Sequence, residues 1–290
     1  MKNESQTSLV SPNELEKWIL ASRPKTWIAS LSPVLIGTSM APSISWFIFA
    51  LTALFSLLIQ IGTNYANDYF DFLSGADTHE RIGPKRAVQQ GWIRPDTMKK
   101  ATIIVFAAAF IVAIPLMFIA GIWSLIITAF AITFGILYTG GPKPLGYLGL
   151  GEILVFVFFG PIACCGSFFL QTHTVNTAVL FASIAPGLFS CALLIANNLR
   201  DEITDRKANK KTLVVRFGQI FGKIEFALST FIPLLIPLTL LFFYGGPINL
   251  IGVFFLLPIA INLLKQENLL LGTSLLFFFY TLLFTISYLI

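Results

Sequence analysis

The sequence has very few charged residues. Only 11% of its 290 residues are Asp, Glu, Lys or Arg, and 56% are hydrophobic, whereas a soluble domain carries about 25% charged residues. This scarcity excludes a disordered protein, a nucleic-acid-binding protein and an ordinary cytosolic enzyme.

Cysteine is also scarce. The three cysteines, Cys164, Cys165 and Cys191, lie inside apolar runs and show no CxxC spacing. This pattern does not indicate a disulfide scaffold or a cysteine-based metal site, and we expect small apolar packing residues at these positions.

Long stretches without any charge dominate the sequence instead. Residues 26–67, 101–142, 153–199, 226–264 and 268–290 contain no Asp, Glu, Lys or Arg. A membrane-spanning helix needs about 20 predominantly apolar residues, and turn-forming residues divide the longer stretches. We therefore predict an all-α polytopic membrane protein, a bundle of nine transmembrane helices, with a polar tail over 1–17 and one transmembrane domain over 18–290. The nine helices are predicted at about 18–40, 44–66, 101–120, 122–140, 152–170, 177–199, 225–244, 248–264 and 268–289.

The basic residues predict the orientation of this bundle. All 19 fall near the N-terminus or in every second loop of the nine-helix arrangement. Because loops on the cytoplasmic side are enriched in Lys and Arg, we expect a cytoplasmic N-terminus and a C-terminus on the opposite side. The expected location is the bacterial cytoplasmic (inner) membrane.

Two acidic clusters stand at helix ends on the predicted cytoplasmic side. Each contains the pattern N-x-x-x-D, followed by another Asp three or four residues later. Residues at these spacings share one face of a helix. One stripe comprises Asn64, Asp68 and Asp71, and the other comprises Asn197, Asp201 and Asp205.

Two carboxylate stripes at one membrane border repel each other unless a cation lies between them. Hard divalent cations prefer oxygen ligands, and Mg²⁺ typically combines one or two carboxylates with phosphate oxygens of a substrate. Basic residues follow both stripes, and Lys and Arg bind the charges of a diphosphate. The pattern therefore favours Mg²⁺ and a diphosphate substrate, while simple helix capping by the Asp residues is the alternative.

Several motifs in order give a family resemblance. They are residues 23–27 (RPKTW), 64–71 (NYANDYFD) with 75–77 (GAD), 83–87 (GPKRA), 138–142 (YTGGP), 149–152 (GLGE), 197–201 (NNLRD), 205–207 (DRK) and 211–218. At these motifs the sequence resembles the UbiA superfamily of intramembrane prenyltransferases, and within it the MenA branch. The superfamily's first motif is usually N-D-x-x-D-x-x-x-D, but Gly75 replaces its last Asp and Asp77 follows, as in that branch.

The resemblance implies a central cavity in the nine-helix bundle, with Mg²⁺ held at its cytoplasmic end. It implies that an allylic polyprenyl diphosphate is ionised there. The implied acceptor is 1,4-dihydroxy-2-naphthoate, which would be alkylated at a ring carbon and lose its carboxylate, giving demethylmenaquinone. No protein partner is implied, and the surroundings are membrane lipid.

The predicted catalytic residues and metal ligands are the acids of the two stripes. We expect Asp68, Asp71, Asp201 and Asp205 to hold Mg²⁺, with Asn64 and Asn197 as neutral oxygen ligands or positioning donors. The predicted diphosphate-binding residues are Arg86, Lys143, Arg206, Lys207 and Lys211.

The carboxylate of the acceptor needs a cationic partner. The allylic cation of the prenyl substrate needs an aromatic surface beside it. Arg23 or Lys25 fits the first need, although both fit equally well as interfacial anchors. Tyr138, together with Tyr65 and Tyr69, is predicted at a suitable depth for cation–π shielding.

Two alternative functions remain at this point. A cation-coupled transporter would have its site near the bilayer midplane, whereas no charged residue falls in the middle of a predicted helix. A UbiA-type prenyltransferase with a different aromatic acceptor would share the fold and the Mg²⁺ site. For Glu152 we favour a charge at a helix N-terminus over a role in deprotonating the acceptor.

Overall fold

The computed structural model describes residues 12–75, 83–266 and 268–290. Over these ranges the chain is helical, with a short helix followed by nine apolar helices, so the predicted all-α bundle of nine helices is confirmed. The helices are α1 (Glu14–Ser22), α2 (Trp27–Ser39), α3 (Trp46–Leu73), α4 (Pro95–Ala120), α5 (Ile122–Leu137), α6 (Gly151–Thr172), α7 (Thr177–Lys207), α8 (Leu213–Tyr244), α9 (Ile248–Leu263) and α10 (Leu269–Leu289).

Six of these helices are long and apolar enough to cross a membrane, namely α3, α4, α6, α7, α8 and α10. Helices α5 and α9 are shorter apolar helices, and α2 has 13 residues. Short links at 121, 173–176 and 245–247 reverse the chain at one end of the bundle. The protein is therefore a multi-pass membrane protein whose polar connections gather at the other end.

The first predicted helix, 18–40, is broken in the structure, which corrects that prediction. Arg23 has a left-handed backbone with φ 52°, and a 3₁₀ turn over Pro24–Thr26 separates α1 from α2. A residue before proline is disfavoured in the α conformation. The carbonyl of Ser22, exposed by the break, accepts hydrogen bonds from Trp27 Nε1 at 3.0 Å and Asn64 Nδ2 at 2.8 Å.

Four other helices extend further on the polar side than the sequence predicts. Helix α3 continues to Leu73 and α7 continues to Lys207. Helix α4 begins at Pro95, and α8 begins at Leu213 with a kink at Gly218, where φ is 87°. Hydropathy marks where the apolar run stops, but a helix continues into water as long as its backbone hydrogen bonds are made. Both acidic stripes therefore lie on continuous helix rather than in loops.

Two pairs of helices, α2 with α6 and α7 with α10, are in close contact. At Gly37 in α2, an added Cβ would collide with the backbone carbonyl of Cys164 in α6. Small residues at membrane helix interfaces permit such close approach. On the other side, Phe189 of α7 stacks on Phe277 of α10 with ring centroids 5.0 Å apart. These contacts hold α6 and α7 in fixed positions around the site.

A methyl group at Gly37 should push α2 away from α6. We expect Gly37→Ala to lower the melting temperature of the detergent-solubilised protein, since overpacking costs about 1–3 kcal/mol. Gly252→Ala is the control, because a Cβ there has nothing within 4 Å. Equal melting temperatures for the two variants would contradict the close α2–α6 contact.

The alternation of the helices predicts which loops share a side. In a protein whose native cysteines have been replaced, Val175→Cys and Lys265→Cys should react with a membrane-impermeant thiol reagent from opposite sides of sealed vesicles. Both positions are exposed in the structure. Labelling of both positions from one side would disprove the number of crossings between them.

Candidate active site

A polar cavity opens between α3 and α7 at the end of the bundle where the charged residues gather. Its volume is about 310 Å³, and we call it the polar chamber. The charged and polar side chains that line it include Arg23, Lys25, Asn67, Asp68, Asp71, Lys85, Arg86, Tyr138, Tyr147, Asn197, Arg200, Asp201, Asp205 and Lys210. The four aspartates predicted from the sequence thus line one cavity.

Asp68 holds the loop after α3 against that helix through hydrogen bonds. Its two carboxylate oxygens accept hydrogen bonds from the backbone N–H groups of Ala87 at 2.9 Å and Val88 at 3.2 Å. Only 1% of Asp68 is exposed. Because these bonds fix the backbone beside Arg86, Asp68 determines where the guanidinium of Arg86 enters the chamber.

Asp71 has three polar partners in the chamber. Its Oδ2 accepts a charged hydrogen bond from Arg86 at 2.9 Å, and its Oδ1 accepts one from the Tyr147 hydroxyl at 2.7 Å. The Lys210 ammonium lies 3.3 Å from the same Oδ1. A carboxylate that is 1% exposed requires such partners, since an unpaired buried charge is strongly destabilising.

The second acidic stripe faces the same space from α7. Arg200 forms two parallel hydrogen bonds with Asp201, at 2.8 and 2.7 Å. The Oδ1 atom of Asp205 lies 4.0 Å from Lys210 Nζ. One ammonium therefore lies between a carboxylate of α3 and a carboxylate of α7, which shows how closely the two stripes approach each other.

This arrangement fits a metal ion whose ligands come partly from the protein and partly from a substrate. Within the described ranges, no three His, Cys, Asp or Glu side chains gather into a metal-binding cluster. Carboxylates from two helices do surround one cation, Lys210. Since Mg²⁺ is usually held by one or two carboxylates plus phosphate oxygens, the donors match a Mg²⁺–diphosphate complex better than an all-protein site.

The two asparagines of the stripes occupy different positions. Asn64 donates through Nδ2 to Ser22 O and to Thr26 Oγ1, and it lines a second, mostly apolar cavity that adjoins the polar chamber. Asn197 donates to Leu193 O at 3.1 Å and lines both the polar chamber and this second cavity. Of the two roles predicted for Asn64, the contacts favour the positioning donor.

The structure brings only one of the five predicted diphosphate-binding residues into the chamber. Arg86 lines it, whereas Lys143, Arg206, Lys207 and Lys211 are exposed and do not. Arg206 instead pairs with Glu202 at 2.8 Å. Asp77, whose role the sequence left open, lies outside the described residues.

Sequence reasoning missed Lys85, Tyr147, Arg200 and Lys210. Lys210 belongs to the basic run after the second stripe, and composition alone does not distinguish it from Lys207 and Lys211. Tyr147 follows the motif at 138–142, and its main-chain carbonyl accepts a hydrogen bond from Lys211 N at 2.8 Å. This backbone contact between two loops brings Lys210 to Asp71. No local sequence pattern predicts the contact.

The polar chamber continues into a mostly apolar cavity between α3, α5 and α6. The two share Arg23, Thr26, Asn67, Tyr138, Leu194 and Asn197 at their junction. The continuation comprises two adjoining spaces of about 210 and 150 Å³, and we call it the apolar channel. Its walls include Phe134, Phe158, Phe159, Leu170 and Trp123. A polar head group and an apolar chain of one substrate would therefore find matching surroundings.

Of the three predicted aromatic residues, Tyr138 lies at this junction. Tyr65 packs on Trp18, with ring centroids 5.5 Å apart. Tyr69 packs against Phe70, at 5.0 Å. Neither lines the chamber or the channel, so of the three predicted residues Tyr138 is the one that can face a reacting group.

Glu152 lies behind the chamber wall. It is buried, and its Oε1 accepts a hydrogen bond at 3.0 Å from Nδ2 of Asn198, which does line the chamber. The carboxylate therefore orients Asn198 and does not itself border the cavity.

Comparison with known proteins agrees with these features. The model of the UbiA prenyltransferase family matches residues 30–282. A 1,4-dihydroxy-2-naphthoate octaprenyltransferase of Escherichia coli is 39% identical over 214 residues, which are 71% of this chain and 70% of that protein. The enzyme of the same name from Mycobacterium tuberculosis is 38% identical over 205 residues, 70% of each chain.

Solved structures show the same fold. A UbiA homolog from Archaeoglobus fulgidus bound to DMAPP and Mg²⁺ superposes with a TM-score of 0.69 at 17% identity, covering 94% of this chain and 98% of that one. The matched family model extends from α2 into α10 and includes both acidic stripes. This chain belongs to the UbiA prenyltransferase family.

Proposed function

We propose that the protein transfers a polyprenyl group from an allylic diphosphate to 1,4-dihydroxy-2-naphthoate, with Mg²⁺ as cofactor and with loss of the acceptor's carboxylate. The observation that carries this proposal is the junction of two unlike cavities. Four aspartates and several cations line the polar chamber, which continues directly into the apolar channel. Relatives named as naphthoate octaprenyltransferases support the choice of acceptor.

The diphosphate group belongs in the polar chamber. Asp71 and Asp205, with Asp68 and Asp201 beside them, are the residues that would hold Mg²⁺. When bound, the ion would act as a Lewis acid on the oxygens that gain charge as the C–O bond breaks. Arg86 is already oriented by Asp71 and would stabilise the same oxygens without reorganisation.

The polyprenyl chain belongs in the apolar channel. Each CH₂ group removed from water contributes about 0.8 kcal/mol, so a long chain stays in an apolar environment. The channel begins at Tyr138 and passes between Phe134, Phe158 and Phe159. The reacting carbon would thus lie at the junction, where the Tyr138 ring can stabilise an allylic cation through its π face.

The acceptor would enter at the same junction. Arg23 lines both the chamber and the channel, and Lys25 lines the chamber. Either cation can hold the acceptor's carboxylate beside the reacting carbon. The ring carbon then forms the new C–C bond, the diphosphate leaves with the electrons of the C–O bond, and the carboxylate leaves as CO₂.

The chamber would face the cytoplasm of a bacterial cell. The described Lys and Arg residues gather at the chamber end of the bundle, and cytoplasmic loops are the ones enriched in basic residues. The N-terminus would lie on this side and the C-terminus on the opposite side of the cytoplasmic membrane.

A panel assay tests the proposed reaction. Purified protein with Mg²⁺ and a polyprenyl diphosphate should release pyrophosphate and prenylate dihydroxynaphthoate in preference to 4-hydroxybenzoate or homogentisate, and EDTA should abolish turnover. Mass spectrometry of the product checks for loss of the carboxyl group. Preference for another acceptor would contradict the naphthoate assignment, and turnover unaffected by EDTA would contradict the role of the metal.

The role of Asp71 can be separated from general effects of charge. Asp71→Asn keeps the size of the side chain but removes its charge, and we expect kcat to fall roughly 100-fold or more, as for other losses of preorganised electrostatic stabilisation. Asp96→Asn is the matched control, because Asp96 is exposed in the first turn of α4 and does not line the chamber.

Melting temperatures measured alongside show whether Asp71→Asn is folded. If a folded Asp71→Asn protein retained the kcat of the Asp96→Asn control, Asp71 would not belong to the active site.

A further inference from the structure

Lys210 occupies an unusual position for a surface-loop lysine. Its Nζ lies 3.3 Å from Asp71 Oδ1 on α3 and 4.0 Å from Asp205 Oδ1 on α7. Its side chain is only 12% exposed. The ammonium is thus a positive charge that lies between the two acidic stripes.

The structure around Lys210 is built to hold it there. Its backbone N–H donates to Asp205 O at 2.9 Å, and Asn209 before it has a left-handed backbone with φ 56°. Its Nζ also lies 4.7 Å from the centre of the Tyr147 ring, in the range of a cation–π contact. The Tyr147 hydroxyl in turn donates to Asp71, so one tyrosine contacts both members of the ion pair.

Arg86 and Lys210 both pair with Asp71, but they are held differently. Arg86 contacts Oδ2 at 2.9 Å, and the loop that carries it is fixed through Asp68. Lys210 makes longer contacts through a single atom on a flexible four-carbon chain. A lysine is a mobile point charge, whereas the arginine fork is pre-organised. Lys210 is therefore the cation that can leave at lower cost.

We propose that Lys210 is an internal counter-ion that takes the place of the divalent metal in the metal-free protein. It keeps the carboxylates of α3 and α7 together when no metal is bound. A metal ion that binds Asp71 and Asp205 displaces the ammonium, which then turns away from these two carboxylates within the polar chamber, where a diphosphate is its nearest anionic partner. This inference rests on the proposed function, because it requires the metal to bind between the two stripes.

Removal of the Lys210 charge should strengthen metal binding. Lys210→Met removes the competing charge while keeping an unbranched side chain of similar length. We expect it to bind Mn²⁺ at least about tenfold more tightly than the wild type, because the metal no longer has to displace an ammonium that attracts both carboxylates from 3.3 and 4.0 Å. Binding is measured on the full-length protein in detergent, without diphosphate, from the decrease in the free Mn²⁺ electron paramagnetic resonance signal.

Lys211→Met is the matched control. It removes the same charge from the adjacent position, but its side chain is exposed and does not line the chamber. We expect its Mn²⁺ affinity to stay within about twofold of the wild type, because charges separated through solvent are screened. In EDTA, Lys210→Met should also melt at a lower temperature than Lys211→Met, and added Mn²⁺ should reduce that difference.

The outcomes separate this inference from the proposed function. Mn²⁺ binding that is equal or weaker in Lys210→Met than in Lys211→Met would overturn the counter-ion role while leaving the metal site intact. If the wild-type protein and Lys210→Met both fail to bind Mn²⁺ in the absence of diphosphate, the exchange is overturned, whereas the metal site of the proposed function is decided by the effect of EDTA on turnover. Tighter binding confined to Lys210→Met supports the exchange.

Discussion

The buried carboxylate of Asp71 is the constraint on which the active end of this protein depends. A charge that is 1% exposed at the edge of a membrane bundle must be neutralised by partners. Those partners come from three separate loops and are Arg86, Tyr147 and Lys210. Because the Asp71 carboxylate must be paired, the three loops meet above α3 and α7, where they form the wall of the polar chamber.

At the same end of the molecule, a polar cavity adjoins an apolar one. Charged groups collect in the polar chamber, while the surface of the space beyond Tyr138 is mainly apolar and includes Phe134, Phe158 and Phe159. A substrate with a diphosphate at one end and a hydrocarbon chain at the other is matched by this division. The break at Arg23 contributes as well, because it places a guanidinium where the two spaces meet instead of inside a continuous first helix.

Much of this architecture could be predicted from the sequence, for identifiable physical reasons. Charge-free runs of this length are expected to lie in lipid, and dividing the five runs at turn-forming residues predicted the nine helices. The spacing of Asp68, Asp71, Asp201 and Asp205 fixed their helical faces, and the structure places all four around one cavity.

Other features could not be predicted, because they depend on contacts between distant segments. Lys207, Lys210 and Lys211 look equivalent in sequence, yet only Lys210 reaches the chamber, owing to the turn at Asn209 and the contact with Tyr147. Helix ends on the polar side were also misjudged, since hydropathy reports the membrane boundary and not the last helical hydrogen bond.

The central claim is that the acid-bearing ends of α3 and α7 form one metal–diphosphate site at the mouth of an apolar channel. An experimental structure of the protein with Mn²⁺ and a non-reactive thiolo analogue of a prenyl diphosphate tests it most directly. Anomalous scattering from manganese should appear between Asp71 and Asp205, with the isoprenoid chain running past Tyr138 towards Phe158. A manganese signal elsewhere, or two helix ends too far apart to share one ion, would contradict the account.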